Sequence, residues 1–173
     1  MWVTQTYLGT VEPDAKLFVY YLFEDYNPDQ AAFTKEVEIA MGALGESYGN
    51  KVSLLMPNPL YAGRIEAEMR QHDWVWFSFS DHLPGLFISQ KPITKLERND
   101  DDFVFIPFNG QTAEDVALVI QKVRSVANNT LNWDFSNPHQ QADNTIWKRV
   151  LDALELKPGI GPLKIDVRKL FAK

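Results

Sequence analysis

The chain has no cysteine among its 173 residues. That absence excludes thiol catalysis, disulfide chemistry, thiolate-held zinc and iron–sulfur ligation, because each requires a thiolate. Histidine is nearly as scarce, with three in the chain, and no HExxH pattern occurs. Glu68 and His72, four apart with Asp81 and His82 nearby, carry the residue types of a carboxylate–imidazole metal site. Without a further ligand pattern they read as an exposed helix-end pair, and no metal is expected. Asp100, Asp101 and Asp102 lack the alternating spacing and the glycine of a calcium loop and read as a solvated turn. "KPGIGP" (157–162) follows a helical pattern rather than preceding one, so no helix N-terminus is aimed at an anion. Long apolar runs are missing too. Nothing approaches the roughly 20 residues that cross a bilayer, and "MWVTQTYLGTVEPDAK" lacks a basic stretch followed by an apolar block. The expectation is a soluble, cytoplasmic chain with no membrane partner and no cofactor.

Apolar residues make up 45% and aromatics 13% of the chain, enough for a packed core. The net charge of −6 is unevenly spread. Residues 147–173 carry seven Lys/Arg and three Asp/Glu, which is +4, so the remainder carries −10. An acidic body argues against a general nucleic-acid binder, whose phosphate affinity needs a basic face.

Residues 2–11 alternate loosely and suit an edge strand. "KLFVYYLF" (16–23) is a continuous β-branched and aromatic run of strand length, covered on both faces. Asn27 then suits an N-cap, Pro28 a first helical position and Gln30 the capping-box partner. Phe33, Val37, Ala40, Met41, Leu44 and Tyr48 fall on one helical face that stops at Gly49. "KVSLLM" (51–56) reads as a second buried strand and residues 63–71 as a short helix with Ile65 and Met69 on one side. "DWVWFSFS" (73–80) has strand propensity, which would put Trp74 and Trp76 on one side and Phe77 and Phe79 on the other. "LPGLFISQ" is a strand that begins after Pro84, joined by a charged turn to "FVFIPF", where Pro107 points to a sheet edge. Thr112 to Asp115 opens another helix, with Val116, Val119, Ile120, Val123 and Val126 on one face.

Strand–helix–strand at the front implies parallel pairing and the charged turn implies a hairpin, so the pattern predicts a mixed sheet flanked by helices, an α/β class. From residue 128 the composition turns polar and rich in Asn and Gln. The expected organisation is therefore an α/β domain over 1–127 and a linker plus basic C-terminal helical extension over 128–173. In that extension Ile146, Val150, Leu151 and Leu154 mark a helix, and "LKIDVRKLF" (163–171) alternates as a short strand or tail.

Over about residues 16–126 the element order, the junction "YNPD" and the "LPGLFIS" strand resemble the thioredoxin-like fold. The resemblance sets Tyr26 and Asp29 where redox-active members carry their two thiols, matches Pro28 to the central proline, and makes Pro84 the counterpart of a cis proline. The redox activity does not carry over without a thiolate. What the resemblance implies instead is a surface that holds a peptide segment or partner protein, flanked by Tyr26, Asn27, Asp29, His82 and Pro84. Trp74 and Trp76 join them as candidate binding residues if the aromatic band forms part of an interface. No catalytic residue is assigned. The expected function is a non-catalytic protein-interaction module with a protein partner or a second copy. The alternative is a small α/β enzyme or nucleotide sensor, for example one resembling the TIR domains that hydrolyse NAD, with Glu66 or Glu68 as its carboxylate.

Overall fold

A computed structural model of the chain describes residues 2–5, 8–9, 12–23, 28–97 and 103–108, and helical residues 117, 119–121, 123–125 and 127–128. Five strands are present: β1 (Trp2–Gln5), β2 (Leu17–Leu22), β3 (Val52–Pro57), β4 (Gly85–Ser89) and β5 (Phe103–Pro107). The helices are α1 (Pro28–Tyr48), α2 (Ala62–Met69), α3 (Asp73–Phe79) and the partly described α4 at 117–128. The strands form one sheet in the order β1-β3-β2-β4-β5. β3 pairs in parallel with both β1 and β2, whereas β4 runs antiparallel to β2 and to β5. This is the mixed α/β sheet that the sequence pattern predicts, with β1 and β5 at its two ends.

Strand periodicity decides what each face of the sheet holds. In β5, Val104 and Ile106 point into one core while Phe103 and Phe105 point into the other. β4 repeats the division with Leu86 and Ile88 against Phe87, and β2 with Leu17, Val19 and Tyr21 against Phe18, Tyr20 and Leu22. The first core is mainly aliphatic and is closed by Val37, Met41 and Leu44 of α1 together with Val119, Ile120 and Val123 of α4. The second is mainly aromatic and is closed by Ile65 and Met69 of α2 and by Trp74, Val75, Trp76 and Phe79 of α3. Both faces being covered explains why all six residues of β2 and all six of β3 are buried.

α1 begins at Pro28 and presents the predicted face, with Val37, Met41 and Leu44 fully buried and Phe33, Ala40 and Tyr48 half-buried. It gives way at Gly49, whose φ of 58° is the left-handed conformation that glycine adopts without steric penalty. The Tyr48 hydroxyl lies 2.9 Å from both the Arg124 carbonyl and Asn128 Oδ1, which ties the end of α4 to the end of α1.

Two expectations need correction. Residues 73–79 form a helix, not a strand. The His72 carbonyl accepts from the Val75 and Trp76 amides at 2.9 and 3.1 Å and starts the coil. Helical winding then lets Trp74, Val75, Trp76, Ser78 and Phe79 all reach the interior, leaving Phe77 72% exposed. Tertiary burial has overridden the strand preference of aromatic side chains, which measures fit to a pleated surface more than a backbone bias. Glu68 and His72 also do not share a helix, because α2 ends at Met69 and the His72 amide donates to the Met69 carbonyl. The Asn27 cap, the turn with Asp100–Asp102, the helix start at Thr112, "KPGIGP" and the extension over 129–173 lie outside the described residues. Among the described residues no helix is long and apolar enough to cross a membrane.

Candidate functional site

The sheet register gathers several chain reversals at one end. Leu22 at the end of β2 pairs with Gly85 at the start of β4, and Tyr20 pairs with Leu55 two residues before β3 ends at Pro57. The segment that leaves β3 and the segment that enters β4 therefore flank the end of β2. With strands about 4.8 Å apart, these two segments sit roughly 10 Å from each other.

On the β3 side the chain turns at once. The Asn58 side chain accepts from the Leu60 amide at 3.0 Å, and its carbonyl accepts from the Tyr61 amide at 2.8 Å. This cap, with Pro59 opening the turn, fixes a single 3₁₀ turn at Pro59–Tyr61. The turn leaves Leu60 89% and Tyr61 44% exposed, two of the four large apolar side chains exposed among the described residues. On the β4 side a 3₁₀ turn at Ser80–His82 follows α3 and holds Asp81 and His82 at the surface. The Leu83 amide donates to the Ser80 carbonyl at 3.4 Å, the Leu83–Pro84 peptide bond is cis, and the Pro84 carbonyl accepts from the Phe108 amide at 2.7 Å. Leu83 and Pro84 are half-buried.

On the β4 side Asp81 is an exposed carboxylate. Residues 57–63 and 80–85 contain no lysine or arginine. An apolar surface with an acidic neighbour suits a ligand that is apolar along one side and cationic along the other.

Of the seven candidate binding residues, the structure brings His82 and Pro84 together at this end. Asp29 belongs to the first turn of α1, while Tyr26 and Asn27 lie outside the described residues. Trp74 and Trp76 are 9% and 5% exposed and pack in the aromatic core, Trp74 edge-on to Phe103 and Trp76 edge-on to Phe79. Arg70 covers the remaining face of Trp76 from 5.0 Å, a cation–π contact. Leu60 and Tyr61 escaped the sequence reading. Their signal was an apolar pair placed directly after "PNP", in a turn where polar side chains are the usual choice.

The two glutamates of α2 have structural partners. Glu66 pairs with Arg70 at 2.6 Å and Glu68 with Arg64 at 3.2 Å, each one helical turn apart. Glu68 also accepts the Leu8 amide, which holds the segment after β1 against α2. Buried hydroxyls are engaged in packing. The Tyr20 hydroxyl accepts the Ile93 amide at 3.2 Å, and Tyr21 lies 3.3 Å from Thr34 Oγ1. Burial pushes both phenols up to about 12, against a smaller opposing effect of these hydrogen bonds. Among the described residues no group of three or more His, Asp or Glu side chains is placed to hold a metal ion.

Fold and site together define an α/β domain with a mixed five-stranded sheet and an exposed apolar turn at the sheet end. Comparison with protein-family models, with curated proteins and with solved structures gives no match to the chain.

Proposed function

We propose that this domain is a non-catalytic protein-interaction module on a thioredoxin-like scaffold lacking redox cysteines, and that its sheet end takes an extended, basic and apolar segment of a partner protein. The observation that carries the reading is the exposure of Leu60 and Tyr61 across the end of β2 from Asp81, His82 and Pro84. Capping by Asn58 holds the pair at the surface, so their exposure is specified rather than incidental. Exposed Asp81 on the β4 side, together with the net charge of −10 over residues 1–146, gives the surface a preference for a basic ligand. The strand order β1-β3-β2-β4-β5, with β4 antiparallel to β2 and β5, supports the scaffold assignment.

The NAD-hydrolysing alternative rests on Glu66 and Glu68. Arg70 holds the first, and Arg64 and the Leu8 amide hold the second, so the geometry favours the interaction reading.

Selection of a displayed library of random peptides on the full chain tests the proposal. The expected winners alternate apolar residues with lysine or arginine. Their affinity falls at least about tenfold in a Leu60→Ser, Tyr61→Ser variant, because a lost apolar anchor pair is worth more than 1.4 kcal/mol. Thermal unfolding stays the same, since both side chains are exposed. No enrichment, or binding indifferent to the double substitution, refutes it. An added mass of a few hundred daltons in a native mass spectrum would instead put the small-molecule reading first.

A further inference from the structure

We propose that the end of the sheet opposite the apolar turn binds an oligophosphate anion, a short chain of phosphates with neither a base nor a lipid tail.

Residues 1–97 contain seven lysines and arginines, and four of them, Lys16, Lys51, Lys91 and Lys95, collect at this end. Strand register places them. The Lys16 amide donates to the Lys51 carbonyl at 3.0 Å, which sets these two residues side by side just before β2 and β3. β2 pairs Phe18 with Ser89 of β4, so two residues further along each chain Lys91 reaches the level of Lys16. The Ser89 hydroxyl donates to the Lys91 carbonyl at 2.6 Å and the Ile93 amide donates to the Tyr20 hydroxyl at 3.2 Å. These two bonds hold the 3₁₀ turn Ile93–Lys95 against β2. Lys51, Lys16 and Lys91 thus flank the neighbouring strands β3, β2 and β4, about 10 Å from first to last. All four lysines are exposed.

Like charges set opposite one another across strands cost stability. Gathering them here, in a chain whose residues 1–146 carry −10, breaks a local rule that a bound anion repairs. The acids on these segments, Glu12, Asp14 and Glu97, precede Lys16 or follow Lys95 and do not interrupt the row. Asp81 belongs to the other end of β2, whose six residues span about 20 Å. That exceeds the roughly 8 Å over which charges act through physiological salt.

The residue types select the ligand. No arginine stands on residues 12–17, 49–53 or 89–97, so the planar fork that grips a carboxylate is missing, whereas ammonium groups bind phosphate as point charges. None of the four exposed large apolar side chains among the described residues lies on these segments. Nothing there offers a platform to a base or a foothold to an acyl chain.

Titration calorimetry of the full chain with inorganic tripolyphosphate tests the proposal. Saturable binding is expected, weakening as salt is raised from about 50 to about 200 mM. ATP should bind no more tightly, because its base finds no partner. The Lys16→Gln, Lys51→Gln, Lys91→Gln variant should lose at least about tenfold in affinity, the worth of one charge-assisted contact. Its unfolding midpoint without ligand should stay level or rise as the repulsion is relieved. Lys35→Gln, on α1, should bind as the parent does, and Asp14→Asn should tighten binding by up to about fivefold. No binding by the parent chain, or sulfate matching tripolyphosphate in affinity, overturns the proposal. Binding that survives the triple substitution also overturns it and moves the anion to the basic residues of 147–173. ATP binding far more tightly than tripolyphosphate overturns the ligand class and makes the site one for a nucleotide.

Discussion

Alanine at Gly85 tests the packing beneath the proposed site, because that glycine lies between Pro84 and the body of β4. A methyl group built there would collide with Phe105 Cζ, lie 2.9 Å from Phe105 Cε1 and lie 2.6 Å from the Ile106 carbonyl oxygen. Neither neighbour is free to yield. The Phe105 ring stacks on Phe79 with centroids 4.8 Å apart and planes 17° from parallel. Ile106 is held opposite Leu86 in the β4–β5 ladder. Forcing a methyl group into such a contact costs typically 1–3 kcal/mol. The opposing benefit, a less disordered unfolded chain, is at most about 1 kcal/mol. Gly85→Ala should therefore lose about 1–3 kcal/mol, lowering the midpoint of thermal unfolding by roughly 2–12 °C for a domain of this size. Gly63→Ala makes the same chemical change in α2, where nothing lies within 4 Å of the added methyl group. It should stabilise by about 0.4–1 kcal/mol. Urea titrations followed by tryptophan fluorescence compare the two. Equal or greater stability in Gly85→Ala would refute the claim that β4 and β5 are packed too closely for a side chain there.

Tyr20 and Tyr21, both raised to about 12 in the folded state by burial, have an unfolded value near 10. Folded values above unfolded ones mean that their contribution is complete below pH 10 and lost as pH rises toward 12. Each phenol should remove on the order of 1.4 kcal/mol per pH unit in that window, and a flat stability profile from pH 10 to 12 would contradict this. Phe79→Ala should lose about 3–5 kcal/mol, whereas Phe77→Ser, on the same side as Phe79 in a strand, should stay within roughly 0.5 kcal/mol. The contrast separates helix from strand at α3, and comparable losses at both positions would contradict the helix. Removing the Glu68 carboxylate by Glu68→Ala should leave the Leu8 amide without its acceptor and cost about 1–3 kcal/mol. Hydrogen exchange at Leu8 should then quicken ahead of the β3 amides, and unchanged exchange would argue against that bond.

Sequence periodicity carried the sheet and its main helix. In α1, four- and three-residue spacing from Phe33 to Tyr48 describes a face that only a helix makes contiguous, and Gly49 supplies the conformation to end it. "FVFIPF" and "LPGLFIS" are short, β-rich and bounded by proline or charge, so strand was the economical reading. Residues 73–80 misled for a physical reason. Seven residues make two turns, and a helix buried on nearly every side shows no polar face by which its period could be read. Of the proposed site, Pro84 stood out in the sequence as the residue that opens β4. The proposed site was not legible at Leu60 and Tyr61, whose exposure follows from the Asn58 turn.

The division of side chains between the two sides of the sheet has a spectroscopic consequence. Phe79, Phe87, Phe103, Phe105, Trp74 and Trp76 lie on one side, where Phe79 stacks on Phe105 and Phe87 on Phe103. The other side is supplied chiefly with methyl groups from valine, leucine, isoleucine and methionine. The two tryptophans with described side chains, Trp74 and Trp76, both belong to the layer of α2 and α3, whereas Tyr21, Phe23 and Phe108 belong to the layer of α1 and α4. A ligand that loosened the first layer alone would therefore change the signals of those two indoles while leaving the ring resonances of Tyr21 and Phe108 in place.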